Sequence, residues 1–317
     1  MKVAAQQQLV FSNFMMTSYY YNPAIAGSKN VHEANISYRN QWVGFEGAPK
    51  SIVGSYHGSF KNRGKAGYGA TIISDQVGLI QNTGFYLNYA QHFKLGDKIK
   101  LGFGVQPGFV QYRIRLYDAQ LADEGDDILT GNILAANGFD VNGGFHLYSS
   151  KFFLMGSVQS ALGNEINSPS LTLNSSFQKH YTAIAGFNLA FRKKPWEIQP
   201  SVMLKNTQPV PSQLTVMTKV TYKKQFWLGA LYRTENAAGV CLGVNLKDRL
   251  SIGYAFDYSM GGISNYQSGT HEIAISFVTT PNRPSIEEED EKLNNSIMDE
   301  MKKQMEEKKK KDSEEKP

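Results

Sequence analysis

Apolar and polar residues alternate strictly in segment after segment of the first 280 residues, and no other feature constrains the fold as strongly. In 250–258, Leu250, Ile252, Tyr254, Phe256 and Tyr258 share one face, and Ser251, Gly253, Ala255 and Asp257 the other. In 33–42, Ala34, Ile36, Tyr38 and Trp42 oppose Glu33, Asn35, Ser37, Arg39 and Gln41. The same pattern runs through 98–109 and 181–192. Side chains of a strand point alternately to its two faces, so each segment is a strand with one apolar face and one polar or small face. About fourteen such segments of roughly ten residues occur. They are longer than the ~5–6 residues of a soluble strand and match the ~9–11 of a tilted membrane-spanning strand. The longest apolar runs fall far short of the ~20 residues of a spanning helix, and mean hydropathy is only −0.38.

The connections alternate in length. "KNRGK", "KLGDK", "SSK", "RKKP", "KKQ" and "KDR" are short and basic, whereas 43–49, 76–82, 112–137, 162–178, 207–212, "ENAAG" and "MGGISNYQSG" are longer. Short turns at one rim and longer loops at the other characterise outer-membrane barrels, with the short turns periplasmic. Lipid offers no partner to a backbone N–H or C=O, so such a sheet must close. A soluble sandwich or propeller would have shorter strands and similar turns at both ends. The expected fold is therefore all-β: a closed transmembrane antiparallel barrel of about 14 strands, in the outer membrane, with both termini periplasmic. Phe103, Phe187 and Leu228 are expected to face hydrocarbon, and Gly104 and Asn188 the interior. Pro107 and Pro200 lie inside strands and predict bulges or bends.

Charge divides the chain. Residues 284–317 hold 8 Lys and 12 Asp or Glu, while the rest holds 25 Lys or Arg and 16 Asp or Glu. No aromatic follows Phe277 and no glycine follows Gly269. The domain reading is a periplasmic N-terminal segment 1–29, a barrel 30–280 and a charged periplasmic tail 281–317. "MKVAAQQQ" looks like a signal-peptide remnant at 1–5 without its apolar stretch. The tail is either disordered or a helix. Leu293, Ile297, Met301 and Met305 recur every four residues, an amphipathic stripe with which 284–317 would engage a periplasmic partner.

Chemistry is sparse. The six histidines show no metal-ligand spacing, and no GxSxG turn marks a nucleophile. The lone Cys241 reads as a small inner-face residue. "GFGVQPG" (102–108) has no phosphate-loop lysine. "RKK" (192–194) reads as a basic turn. The acidic stretch 116–131 lacks EF-hand spacing and reads as a solvated loop, with calcium the less favoured alternative. No catalytic residue, cofactor, metal or nucleic-acid partner is expected.

Two segments point to interactions. "RNQWVGFEGAPK" (39–50) follows the first strand and forms the first extracellular loop. Arg39, Trp42, Phe45 and Glu46 combine aromatic anchors with flanking charge, the composition of a protein-binding surface. The competing reading puts Trp42 in the lipid-interface girdle and pairs Arg39 with a lumen carboxylate. "YYYNPAIAG" (19–27) precedes the first strand. It is expected to pack on the lower rim, enter the lumen as a plug, or anchor at the interface.

Six short motifs in order carry a resemblance: "YYNPAIAGS" (20–28), "YRNQWVGFEGAP" (38–49), "SDQVG" (74–78), "FWLGALYR" (226–233), "GYAFDYS" (253–259) and "GTHEIAIS" (269–276). Together they resemble the PorP/SprF family of outer-membrane proteins, associated with type IX secretion and gliding in Bacteroidetes. The resemblance runs to about residue 280. It implies a barrel without enzymatic activity that works with the secretion machinery or with a secreted surface adhesin. The rival expectation is a transport channel for small or hydrophobic compounds.

Overall fold

The computed structural model describes residues 9–29, 31–60, 65–115, 133–163, 165–168, 171–176, 178–191, 194–207, 209–234, 237–247, 249–260, 262–279 and, in the tail, 298, 300, 301 and 305. The chain divides into two compact units, Met1–Pro281 and Asn282–Pro317.

The first unit is a closed, 14-stranded antiparallel barrel. Its strands are β1 (Glu33–Asn40), β2 (Lys50–Ser59), β3 (Ala66–Val77), β4 (Ile80–Lys94), β5 (Lys100–Arg115), β6 (Ile133–Tyr148) and β7 (Phe152–Gln159). A separate hairpin follows, β8 (Glu165–Ser168) with β9 (Leu171–Ser176). The barrel resumes with β10 (His180–Phe187), prolonged by β11 (Leu189–Ala190), and then β12 (Trp196–Thr207), β13 (Val210–Tyr222), β14 (Phe226–Arg233), β15 (Ala237–Leu246), β16 (Leu250–Ser259) and β17 (Thr270–Val278). Chain neighbours pair in order, β1 pairs with β17, and β10 pairs with both β7 and β12, which completes the ring.

The alternation becomes the two faces of the wall. Phe103, Phe187 and Leu228 lie exposed on the outside, and inward positions such as Ser37, Thr71, Ile184 and Ala255 are buried. Cys241 is buried in the wall opposite Gly229. In the tail, Met298, Glu300, Met301 and Met305 are helical and exposed. Leu293 and Ile297 lie outside the described residues, as does the acidic stretch 116–131.

Two expectations need correcting. The longer connections at 76–82 and 207–212 are tight turns: only Gly78 and Leu79 separate β3 from β4, and only 208–209 separate β12 from β13. The strands run on through polar rungs such as Asp75↔Asn82 and Gln76↔Gln81. Nor do the prolines create bulges. The β4–β5 ladder passes from Tyr86↔Gly108 to Tyr89↔Val105 in one register, missing its rungs at Gln106 and Pro107. Opposite Pro200, the β10–β12 ladder stops at Gly186↔Ser201 and β11–β12 resumes at Leu189↔Ile198. Proline removes a donor, so one neighbour loses rungs while the other stays paired, at Pro107↔Val141 and Pro200↔Thr218. A side-chain bond from Gln199 Nε2 to Asn188 Oδ1 (2.7 Å) spans the second gap.

Candidate functional site

The lumen is occupied by the chain's own N-terminal segment. Phe11, Phe14, Tyr19, Tyr20, Tyr21, Ala24 and Ala26 are all buried. Of the places open to "YYYNPAIAG", the structure shows the plug. One helical turn (Ser18–Tyr21) leads into a 3-10 turn (Pro23–Ile25). Pro23 presets the backbone angle at the start of that turn, and the Asn22 side chain caps it by accepting from Ala24 N (2.9 Å).

Side chains of plug and wall each meet the other's backbone. Asn22 Nδ2 donates to the Phe145 carbonyl (2.8 Å) and Asn88 Nδ2 to the Pro23 carbonyl (2.9 Å). Gln159 Nε2 donates to the Tyr20 carbonyl (3.0 Å) and His92 Nε2 to the Ala26 carbonyl (2.7 Å). These bonds satisfy backbone groups that burial would otherwise leave unpaired. The inward glycines give room for them. A Cβ on Gly67, Gly104 or Gly144 would collide with Ala26, Ala24 or Asn22. Gly104, expected from sequence only to face the interior, is thus a docking surface for backbone.

Nearer the loop rim the plug is hydrogen-bonded to an ionic cluster of the wall. Arg39 of β1 pairs with Glu272 of β17 and, at 3.5 Å, with Asp257 of β16. Arg233 of β14 reaches Asp257 at 3.3 Å. All four are almost fully buried. The plug completes the cluster. Ser12 N and Asn13 N donate to the two Glu272 oxygens (2.7 and 3.1 Å), and Ser12 Oγ donates to Asp257. Two cations face two carboxylates, so the buried cluster is neutral. Tyr21, fully buried, accepts a hydrogen bond at its phenol oxygen from Phe11 N (2.7 Å).

Above this cluster lies a cavity of about 460 Å³. Leu9, Val10, Trp42, Val77 and Ile80 line it together with Arg39, Asp75, Lys205 and Arg233. A smaller one of about 160 Å³ lies lower, beside Met16, Tyr19, His57 and Trp227.

The four expected partner-binding residues do not stay together. Arg39 is 3% exposed and its guanidinium lies in the lumen. Trp42 is half-buried, with a left-handed φ of 52°, and borders the cavity. Phe45 and Glu46 are exposed on the loop. That loop is fastened at Val43 N to the Gly269 carbonyl, at Ser268 N to the Val43 carbonyl and at Gly78 N to the Gly47 carbonyl (2.8 Å each). "HE" at 271–272 splits across the wall: Glu272 enters the cluster, while His271 meets the Tyr254 hydroxyl (2.7 Å). Sequence reasoning missed Asp257, Arg233 and Ser12 as a set. The available signal was charge at inward parity within apolar strands. Among the described residues no group of His, Cys, Asp and Glu could hold a metal ion.

Comparison with known proteins adds three findings. The search of curated proteins found no match. Among solved structures, Omp33 of Acinetobacter baumannii is similar at 7% identity and TM-score 0.46, covering 79% of this chain and 99% of its own. The CymD monoaromatic hydrocarbon channel gives 8%, 0.49, 85% and 92%, and a Pseudomonas aeruginosa FadL homologue 10%, 0.45, 83% and 93%. At such TM-scores these likenesses carry nothing about what this chain binds. The third comparison is specific. The model of the family described as "Type IX secretion system membrane protein PorP/SprF" matches residues 3–277, and the chain belongs to that family.

Proposed function

We propose that this chain is a non-enzymatic, plugged outer-membrane barrel of type IX secretion, with its short turns and C-terminal tail periplasmic. The N-terminal segment, read from sequence as periplasmic, instead runs up the lumen, so that Leu9 and Val10 lie at the loop end. Its loop end holds a secreted surface adhesin or a component of the machinery, and the tail 284–317 meets a periplasmic partner. The observation supporting this is the plug. A lumen filled by residues 9–28, hydrogen-bonded to a buried ionic cluster of the wall, is not an open pore, which leaves the outer loops as the working surface. Phe45 and Glu46 lie on a loop fastened by three backbone hydrogen bonds, and a restrained loop loses little freedom on binding.

A second reading, passage of small or apolar compounds, has the more specific geometric support. The cavity above the plug has apolar walls and buried charges, the composition of a small-molecule site. One experiment separates the readings. Native outer membranes are solubilised, the full chain is isolated by affinity, co-purifying chains are identified, and the same preparation is tested for uptake of apolar compounds in vesicles. A specific surface protein without uptake supports the first reading. Uptake without a bound protein overturns it in favour of the second.

A further inference from the structure

The turn rim carries an unbalanced charge that neither reading uses. Segments 60–65, 94–100, 149–151, 191–195, 223–225 and 247–249 hold fourteen Lys or Arg and two Asp. Among the described residues of these turns, nine cations are exposed against one exposed acid, Asp97. They come from all six turns, so they form a ring.

The depth of that ring points to its ligand. The turns are short and cannot project far from the membrane. Immediately beside them, Phe60, Phe93, Trp196 and Phe226 are exposed on the outer face, where an interfacial aromatic girdle lies. Trp196 packs at a tilt against Tyr222 with ring centroids 4.4 Å apart, and Lys223 Nζ lies 5.4 Å from the Tyr222 ring centre. The lysines therefore sit one step beyond the girdle, at headgroup depth, where long side chains reach outward from apolar stems.

We propose that the turn rim is a collar for anionic phospholipids. Its exposed lysines bind the headgroup phosphates of the leaflet it faces, fixing the barrel's height and enriching acidic lipid around that rim. This rests on the membrane placement proposed above and is independent of what the loops hold. A soluble acidic partner would fit the charge alone; the girdle beneath the lysines favours lipid.

The test uses the full chain folded into vesicles of phosphatidylcholine with a minority of phosphatidylglycerol. Polymer-bounded discs are extracted, and the lipid retained with the barrel is compared with the bulk. Each cation near an anionic surface is worth roughly a fivefold preference, so phosphatidylglycerol should be enriched severalfold, and the enrichment should fall as salt rises. Replacing Lys98, Lys151, Lys194, Lys223, Lys224 and Lys247 by Gln should bring it close to the bulk ratio. The same six changed to Arg should retain it, and Lys50→Gln with Lys179→Gln at the loop rim should leave it unaltered. Heat modifiability on gels checks that each variant is folded, and the Arg variant keeps the test open if the Gln variant is not. Absence of enrichment, equal loss with the loop-rim pair, or binding of soluble polyglutamate in place of lipid would each overturn the proposal.

Discussion

The two ends of the lumen hold the same peptide by different physics. Toward the turn rim, Asn22 to Ala26 press against glycines, and the Pro23 and Ala26 carbonyls accept hydrogen bonds from Asn88 and His92. Toward the loop rim, Ser12 and Asn13 are fastened to a buried ionic cluster beneath a cavity. The lower attachment depends on shape and tolerates no added side chain. The upper depends on charge, and fails by leaving a charge unpaired rather than by collision. The two ends should therefore break separately.

The largest effect is expected at the upper end. Arg39→Ala leaves Glu272 buried without its cation, and breaking a buried pair on one side costs about 3–5 kcal/mol. Denaturant unfolding in detergent should show a loss of that order. The location of the damage matters more. In the same background a reporter Ser12→Cys should become open to a thiol reagent, while a reporter Ser28→Cys, buried at the lower end, stays protected. Equal exposure of both would show that the plug leaves as one piece, and the contrast between the ends would fail.

A change in the wall's outer face serves as the control. Leu242, exposed at the middle of β15, should tolerate Arg poorly, at about 2–4 kcal/mol if it lies near the bilayer midplane. Its loss should lower the heat resistance of the whole barrel without exposing Ser12→Cys more than Ser28→Cys.

Gly104→Val attacks the lower end. The added side chain meets the Pro23–Ala24 backbone, and overpacking of this kind costs roughly 1–3 kcal/mol. Here the pattern should reverse, with Ser28→Cys labelled and Ser12→Cys held by the cluster. Protection of both would mean that the wall yields instead of the plug.

The wall was legible in the sequence and its contents were not, for physical reasons. Alternation is written wherever lipid lies on one side and lumen on the other, so about fourteen strands could be located and, in segments such as 98–109 and 250–258, their faces assigned. Where β3 and β4 rise past that boundary, both faces are polar and the period disappears, although Asp75 and Asn82 still pair. The plug touches wall all round. Phe11, Phe14 and Tyr19–Tyr21 consequently show no period, and only their aromatic content hinted that they needed cover. The ionic cluster takes one charge from each of four strands, and Arg39 and Glu272 stand 233 positions apart in the chain. Parity placed each side chain inward, but nothing local says which charges meet.

The smallest effect on stability, and the most direct probe of function, is expected on the fastened loop. Phe45 and Glu46 are exposed, and exposed residues away from caps and strain usually change stability by no more than about 0.5 kcal/mol when replaced. Trp42 differs: it borders the cavity, holds a left-handed backbone and donates its N–H to Thr270 Oγ1 (3.2 Å). Phe45→Ala with Glu46→Ala should therefore leave abundance, heat resistance and both plug reporters unaltered. If the loop holds a partner, that double variant should still lose the co-purifying surface protein. Trp42→Ala should instead disturb the cavity and shift the Ser12→Cys reporter whether or not a partner binds. Retention of the partner by the Phe45 and Glu46 variant, with uptake of apolar compounds altered by Trp42→Ala, would move the working site from the loop surface into the upper lumen. The ionic end would then be the floor of a binding chamber, and the glycine-lined end only its support.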